Sequence, residues 1–170
     1  MFVVFKGGII LMDKIAMINN MIKGIEADPS LDISKWVNTL YFIDGELKEM
    51  TLEDLNGVEM PNMPERDLTN LTAVEMLVVS ASKCFATTLE LEAYKADIPL
   101  NEVTITFIGK FAKAPFLSLR EGNSGLHEPH IELTVVSSVE QDKIEHIAKQ
   151  SVKLSPVLSS LNEPVSLVVN

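Results

Sequence analysis

The chain has a single cysteine, Cys84, and only two arginines, Arg66 and Arg120, in 170 residues. One cysteine excludes an internal disulfide and any zinc site built from several cysteines. It also fits a reducing compartment, so the cytoplasm is the expected location. Basic residues are scarce: Lys+Arg 14 against Asp+Glu 24, for a net charge of −10. That sign repels phosphate backbones and anionic bilayers, so neither nucleic acid nor a membrane is an expected partner. The N-terminal apolar run, MFVVFKGGIILM, is too short to span a bilayer and lacks both a basic start and an A-x-A-like cleavage site. Residues 1–12 are expected to be an extension, either a short strand or a loose segment before a second possible start at Met12. Residues 13–170 are expected to be one domain. No G-x-S-x-G, Walker loop or dinucleotide fingerprint is present, and no cofactor is implied.

What the sequence does have is apolar patterning. Hydrophobic residues make up 46% of the chain, enough for a packed core rather than a disordered chain. Residues 13–27 place Ile15, Ile18, Ile22 and Ile25 at helical spacing, with Met17 and Met21 extending the stripe as core residues. Residues 34–43 alternate as a strand, with Trp36, Asn38, Leu40 and Phe42 on one face. Asp44-Gly45 then predicts a hairpin into a return strand over 46–53. Asn56-Gly57 predicts another turn and residues 58–60 a short third strand. Val103, Ile105 and Phe107 mark a further strand. Residues 113–129 read as irregular, residues 131–136 as a strand, and Ser138 to Gln141 as a capping box that opens a helix to Leu154. That helix buries Ile144, Ile147, Ala148, Ser151 and Val152 and leaves His146 exposed. Residues 165–169 are apolar and suit a strand inside a sheet. The order of helix, three strands, long helix, two strands, helix, strand is α+β.

The long helix begins at Thr72 and holds Cys84. Thr72-Ala73-Val74-Glu75 is a capping box, and Pro99 is expected to end the helix. From Met76 to Leu91 nearly every position is apolar or small, the pattern of a helix covered on most sides. Cys84 sits about 18 Å from the N-terminal end, too far for the helix dipole to activate a thiol. The residues on its own face, among them Leu77, Ser80, Ala81, Thr87, Thr88 and Leu91, suit close packing around an inert cysteine. Glu75 lies on the opposite side of a straight helix at about 100° per residue, so capping explains it better than pairing with the thiol. Arg66 and Arg120 read as surface arginines within reach of a site. His127 and His130 have H-x-x-H spacing, but Pro129 separates them, and no metal site is expected.

Three segments together resemble the OsmC/Ohr superfamily of osmotically induced and organic-hydroperoxide-resistance proteins. Thr72-Ala73-Val74-Glu75-Met76-Leu77 with Ser82-Lys83-Cys84-Phe85 is similar to the family's central helix, "P-x-E-L-L … a-a-C-f". Lys95-Ala96-Asp97-Ile98-Pro99-Leu100 is similar to its helix exit. Ser155-Pro156-Val157 through Asn162-Glu163-Pro164-Val165 resembles its ending, "C/S-P-v … l-x-n-P-v". The helix ahead of the first strand resembles one branch of the family.

The resemblance implies an OsmC-like fold: an intertwined homodimer with two long central helices packed on curved antiparallel sheets, and N-terminal strands joining the partner's sheet. The family's peroxidases attack hydroperoxides with one cysteine and resolve the product with a second, assisted by an arginine and a glutamate. Cys84 matches the first cysteine. Ser155 stands at the second, where no disulfide is possible. No arginine lies between Trp36 and Met50, where the peroxidases carry theirs, and Val74 occupies the position of their glutamate. Glu75 and Arg66 are the remaining candidates for those roles. Two functions follow. One is a single-cysteine thiol peroxidase or peroxide sensor in oxidative-stress defence, recycled by an external thiol. The other is a non-catalytic homodimer that holds a small apolar ligand in its cleft.

Overall fold

The strands obey a two-residue period. In β1 (Ile33–Ile43), Ser34, Trp36, Asn38 and Leu40 are buried and the residues between them half-buried, as expected where one sheet face meets a core. The computed structural model describes residues 6–55 and 71–170, with the backbone alone for residues 6–14. β1 turns at Asp44 and Gly45, whose φ values of 48° and 78° are those of a two-residue turn matched to strand twist. β2 (Glu46–Asp54) returns antiparallel to β1. β3 (Glu102–Ala112) buries Val103, Ile105 and Phe107, and β4 (Leu126–Val136) buries Leu126, Ile131 and Leu133. With β5 (Ser166–Val169) the sheet order is β2-β1-β3-β4-β5, antiparallel except for the parallel β4–β5 pair.

The inner face of this sheet is covered by α2 (Ala73–Lys95), which packs in turn on α4 (Gln141–Leu154) and the short α5 (Pro156–Ser159). Phe85 and Leu89 from α2 meet Leu40, Ile105, Phe107, Ile131 and Leu133 in the core. One buried polar chain fixes the helix on the sheet. The Ser82 hydroxyl donates to Asn38 Oδ1, and Asn38 Nδ2 donates to the Thr51 carbonyl at 2.6 Å.

Several boundaries differ from the sequence reading. α1 (Lys6–Ala27) begins seven residues before residue 13, so residues 6–12 are helical and not a strand. Its apolar stripe is not core: Ile15, Met17 and Ile18 are exposed and Ile25 alone is buried. Among the described residues the helix packs chiefly on the 3-10 turn that follows it (Pro29–Asp32), at its C-terminal end. α2 stops before Pro99. Asp97 takes a left-handed φ of 56°, and the Ile98 N–H donates to the Ala93 carbonyl at 2.9 Å, which satisfies the helix end without the proline.

Residues 113–129 are more regular than expected. They hold α3 (Lys113–Phe116) and the first part of β4, which starts at Leu126. Pro129 is tolerated because the β3–β4 register shifts between Ile108 and Lys110, and a bulge needs no N–H from it. α4 is capped at Glu140 with no side-chain hydrogen bond; it starts too late for the Ser138 box to form. β5 is an edge strand and not an interior one, with Ser166 and Val168 exposed. β1 and β2, which the resemblance places in a partner's sheet, pair here within the chain's own sheet. The turn at Asn56-Gly57 and the third strand over 58–60 lie outside the described residues.

Candidate functional site

Cys84 is half-buried, where the packed and open faces of α2 meet. On one side Ala81 and Thr88 are buried; on the other Ser80, Thr87 and Leu91 are exposed. The Thr88 hydroxyl donates to the Cys84 carbonyl at 2.8 Å, which ties down the backbone and leaves the sulfur unengaged by that bond. The open face continues through Ala73, Met76, Ser80, Lys83, Thr87, Leu91 and Tyr94, mostly at three- and four-residue spacing. α2 thus has a face that the other described residues leave exposed. Met76 is 50% exposed, Leu91 49% and Tyr94 85%, so apolar side chains alternate with Ser80, Lys83 and Thr87 on a face that the other described residues do not cover.

Ser155 joins α4 to α5. It is fully buried, and its Oγ has no hydrogen-bond partner among the described residues. Its backbone N–H donates to the Ser151 carbonyl at 2.9 Å, and its own carbonyl accepts from Ser159 at 2.9 Å. The position is held by backbone and packing, and the hydroxyl contributes no cap. A buried unpaired hydroxyl is costly, whereas a thiol of the same shape is nearly apolar. The cradle therefore suits the cysteine that this position carries in the resembling peroxidases better than it suits serine.

Glu75 is 1% exposed and performs the capping role expected of it. The Thr72 N–H donates to Glu75 Oε2 at 2.6 Å, and the Glu75 N–H donates to Thr72 Oγ1 at 3.3 Å. Nine residues before Cys84, it lies on the opposite side of α2, so the helix does not bring the two together. Arg66 lies outside the described residues. Arg120 is not merely a solvated arginine: it pairs with Asp32, which is buried and also accepts from the Ala114 N–H. Sequence reasoning missed Asp32, because nothing local connects positions 88 residues apart.

It also missed the polar cluster around His127. The ring bridges Glu163 and the Asn123 carbonyl, while His130 bonds Ser166 Oγ at 2.7 Å, so the H-x-x-H pair serves two separate contacts. Lys113 is buried nearby at the end of β3. Burial lowers its pKa, against the opposing pull of Asp54 and Asp32.

The mid-helix cysteine of α2 and the buried Ser-Pro junction between α4 and α5 can be set beside known proteins. The sequence model described as OsmC-like protein matches residues 66–170, which takes in Cys84, Ser155, Glu75 and Arg66. The chain belongs to the OsmC-like family. Its fold is similar to that of an OsmC-like protein from Mycoplasma pneumoniae, with a TM-score of 0.55 and 15% identity over 78% of this chain and 94% of that one. An OsmC-like hydroperoxide resistance protein from Jannaschia sp. gives a TM-score of 0.50 and 9% identity over 78% and 88%. An OsmC-like protein of unknown function from Vibrio cholerae gives 0.51 and 14% over 79% and 98%. At these identities the likeness carries the OsmC-like fold alone. No curated protein matches the sequence. Among the described residues of this OsmC-like chain, no helix is long and apolar enough to cross a membrane.

Proposed function

We propose that this OsmC-like protein reduces or senses organic hydroperoxides in oxidative-stress defence through Cys84 alone, as a cytoplasmic homodimer. The observation that carries the reading is the place of Cys84, half-buried at the edge of the open face of α2, with exposed Met76 and Leu91 on that face to either side of it along the helix. An alkyl hydroperoxide offers an apolar tail for that face and an oxygen for the sulfur. The Cys84 thiolate attacks the terminal peroxide oxygen. The O–O bond breaks, the sulfur is oxidised to sulfenic acid, and the alkoxide takes up a proton and leaves as an alcohol. With serine at position 155, no internal thiol resolves this product. An external thiol condenses with the sulfenic acid, forming a mixed disulfide and releasing water. A second thiol then restores Cys84 and leaves as the external disulfide. A reducing cytoplasm supplies such thiols.

The test is hydroperoxide consumption with a dithiol reductant. The wild type is expected to consume an alkyl hydroperoxide catalytically, and Cys84→Ser is expected to fall to the uncatalysed rate. Equal rates for the two proteins would overturn the reading and leave the binding of a small apolar ligand along the same face as its rival.

A further inference from the structure

His127 stands between two acceptors. Its Nδ1 lies 2.7 Å from Glu163 Oε1, and its Nε2 lies 2.9 Å from the Asn123 carbonyl oxygen. The carbonyl has no proton to give. The other oxygen of Glu163 already accepts the Glu128 N–H at 2.7 Å. A neutral imidazole has one N–H, so it serves one acceptor and turns a lone pair on the other; only the imidazolium donates to both. We propose that protonated His127 is a clasp fastening three segments together, namely the loop at Asn123, the start of β4 and the turn at Glu163, and that loss of its proton frees the Asn123 loop.

The loop is the side that opens, because the remaining N–H stays with the charged acceptor, where a hydrogen bond is stronger. The charged groups facing the ring favour the closed state. Glu163 approaches from the turn before β5. Glu128 lies on β4, paired with Lys110 of β3 at 2.6 Å. Arg120 and Glu121 come from the loop itself, and Arg120 is neutralised by Asp32. The Asn123 carbonyl first, and Glu163 second, raise the His127 pKa against the opposing effect of burial. The Glu128 N–H first, and His127 second, lower that of Glu163.

The signs set a window. The folded pKa of His127 lies above its ordinary 6.5, so its contribution is whole below pH 6.5 and is lost as pH rises through the raised value. The folded pKa of Glu163 lies below its ordinary 4.5, so its contribution is present above pH 4.5 and is lost as pH falls through the lowered value. The clasp is closed between these limits and opens on the alkaline side. Glu163 lines two surface grooves, one with Arg120, Asn123 and His127 and the other with Val152, Leu158 and Leu167, so the clasp stands at the wall between them.

The test is NMR of the full chain from about pH 5 to 9, a range that brackets histidine titration. It reads the His127 ring nitrogens together with the backbone order of residues 121–125. The ring is expected to titrate above the ordinary histidine value, and loop order is expected to fall in step with it. The closed-to-open ratio should drop about tenfold or more, the scale of one charge-assisted hydrogen bond. Glu163→Gln should move both transitions to lower pH, and His127→Gln should make loop order independent of pH. A ring that titrates at or below the ordinary value, or a loop whose order ignores the ring, overturns the proposal in the wild type without recourse to any variant.

Discussion

At Ser155, chemistry and stability separate. Its hydroxyl, in a fully buried position, has no hydrogen-bond partner among the described residues, and such a group costs about 1–3 kcal/mol. Ser155→Ala and Ser155→Cys are therefore expected to leave the urea midpoint unchanged or raise it, by up to about 1 kcal/mol of stability. Ser82→Ala is the contrast, because it strands the buried Asn38 Oδ1 and should cost about 1–3 kcal/mol. A clear loss of stability in both Ser155 variants would mean that the hydroxyl is paired in solution. The Glu75 cap was legible from residue type and spacing, whereas Ser155 drew notice only through the family resemblance. The partners of Arg120 and His127 were not legible, because a side-chain pair joining positions 88 or 36 residues apart leaves no local mark.

Among the elements, the strands were read best and the ends of elements least well. The alternation in β1 and β3 fixed which face is buried, since a one-residue slip would turn every side chain over. The start of β4 was hidden by Pro129, which signals a break unless a bulge absorbs it. Gly109 lies at the β3–β4 register shift, where an added Cβ would lie 2.7 Å from Leu126 Cδ1. Gly109→Ala is expected to destabilise the fold by about 1–3 kcal/mol, the range for overpacking a core. A chemical-denaturation midpoint equal to that of the wild type would show that Leu126 moves aside at no cost. β5 was misplaced because an apolar run fits the interior of a sheet and a protected edge alike. Its parallel pairing with β4 and its end position in the order follow from where α4 and α5 deliver the chain.

For the whole molecule, the open face of α2 is the feature a single chain leaves unresolved. Met76, Leu91 and Tyr94 present apolar surface on the helix that carries Cys84, and the proposed homodimer would set it opposite the same face of a second copy, as a two-fold interface requires, with the hydroperoxide's tail held in the cleft between them. Light scattering on the wild type is expected to give twice the mass of the chain, and Met76→Asp with Leu91→Asp to lower it toward one. A wild-type monomer at working concentrations would sink the dimer. Charge works at this scale too, since a net −10 repels other polyanions in bulk.

The sequence by itself determined the α+β class, the faces of its strands, the cap of its central helix and its single sulfur. These are matters of residue identity and of periods two and 3.6, which short stretches carry whole. The tertiary structure alone decided that α1 leaves half its stripe exposed, that the sulfur sits at the border of an open face, that Ser155 is sealed without a partner among the described residues, and that His127 spans two acceptors. Each depends on which distant segments come together, and burial and hydrogen-bond satisfaction are properties of that meeting rather than of any one stretch.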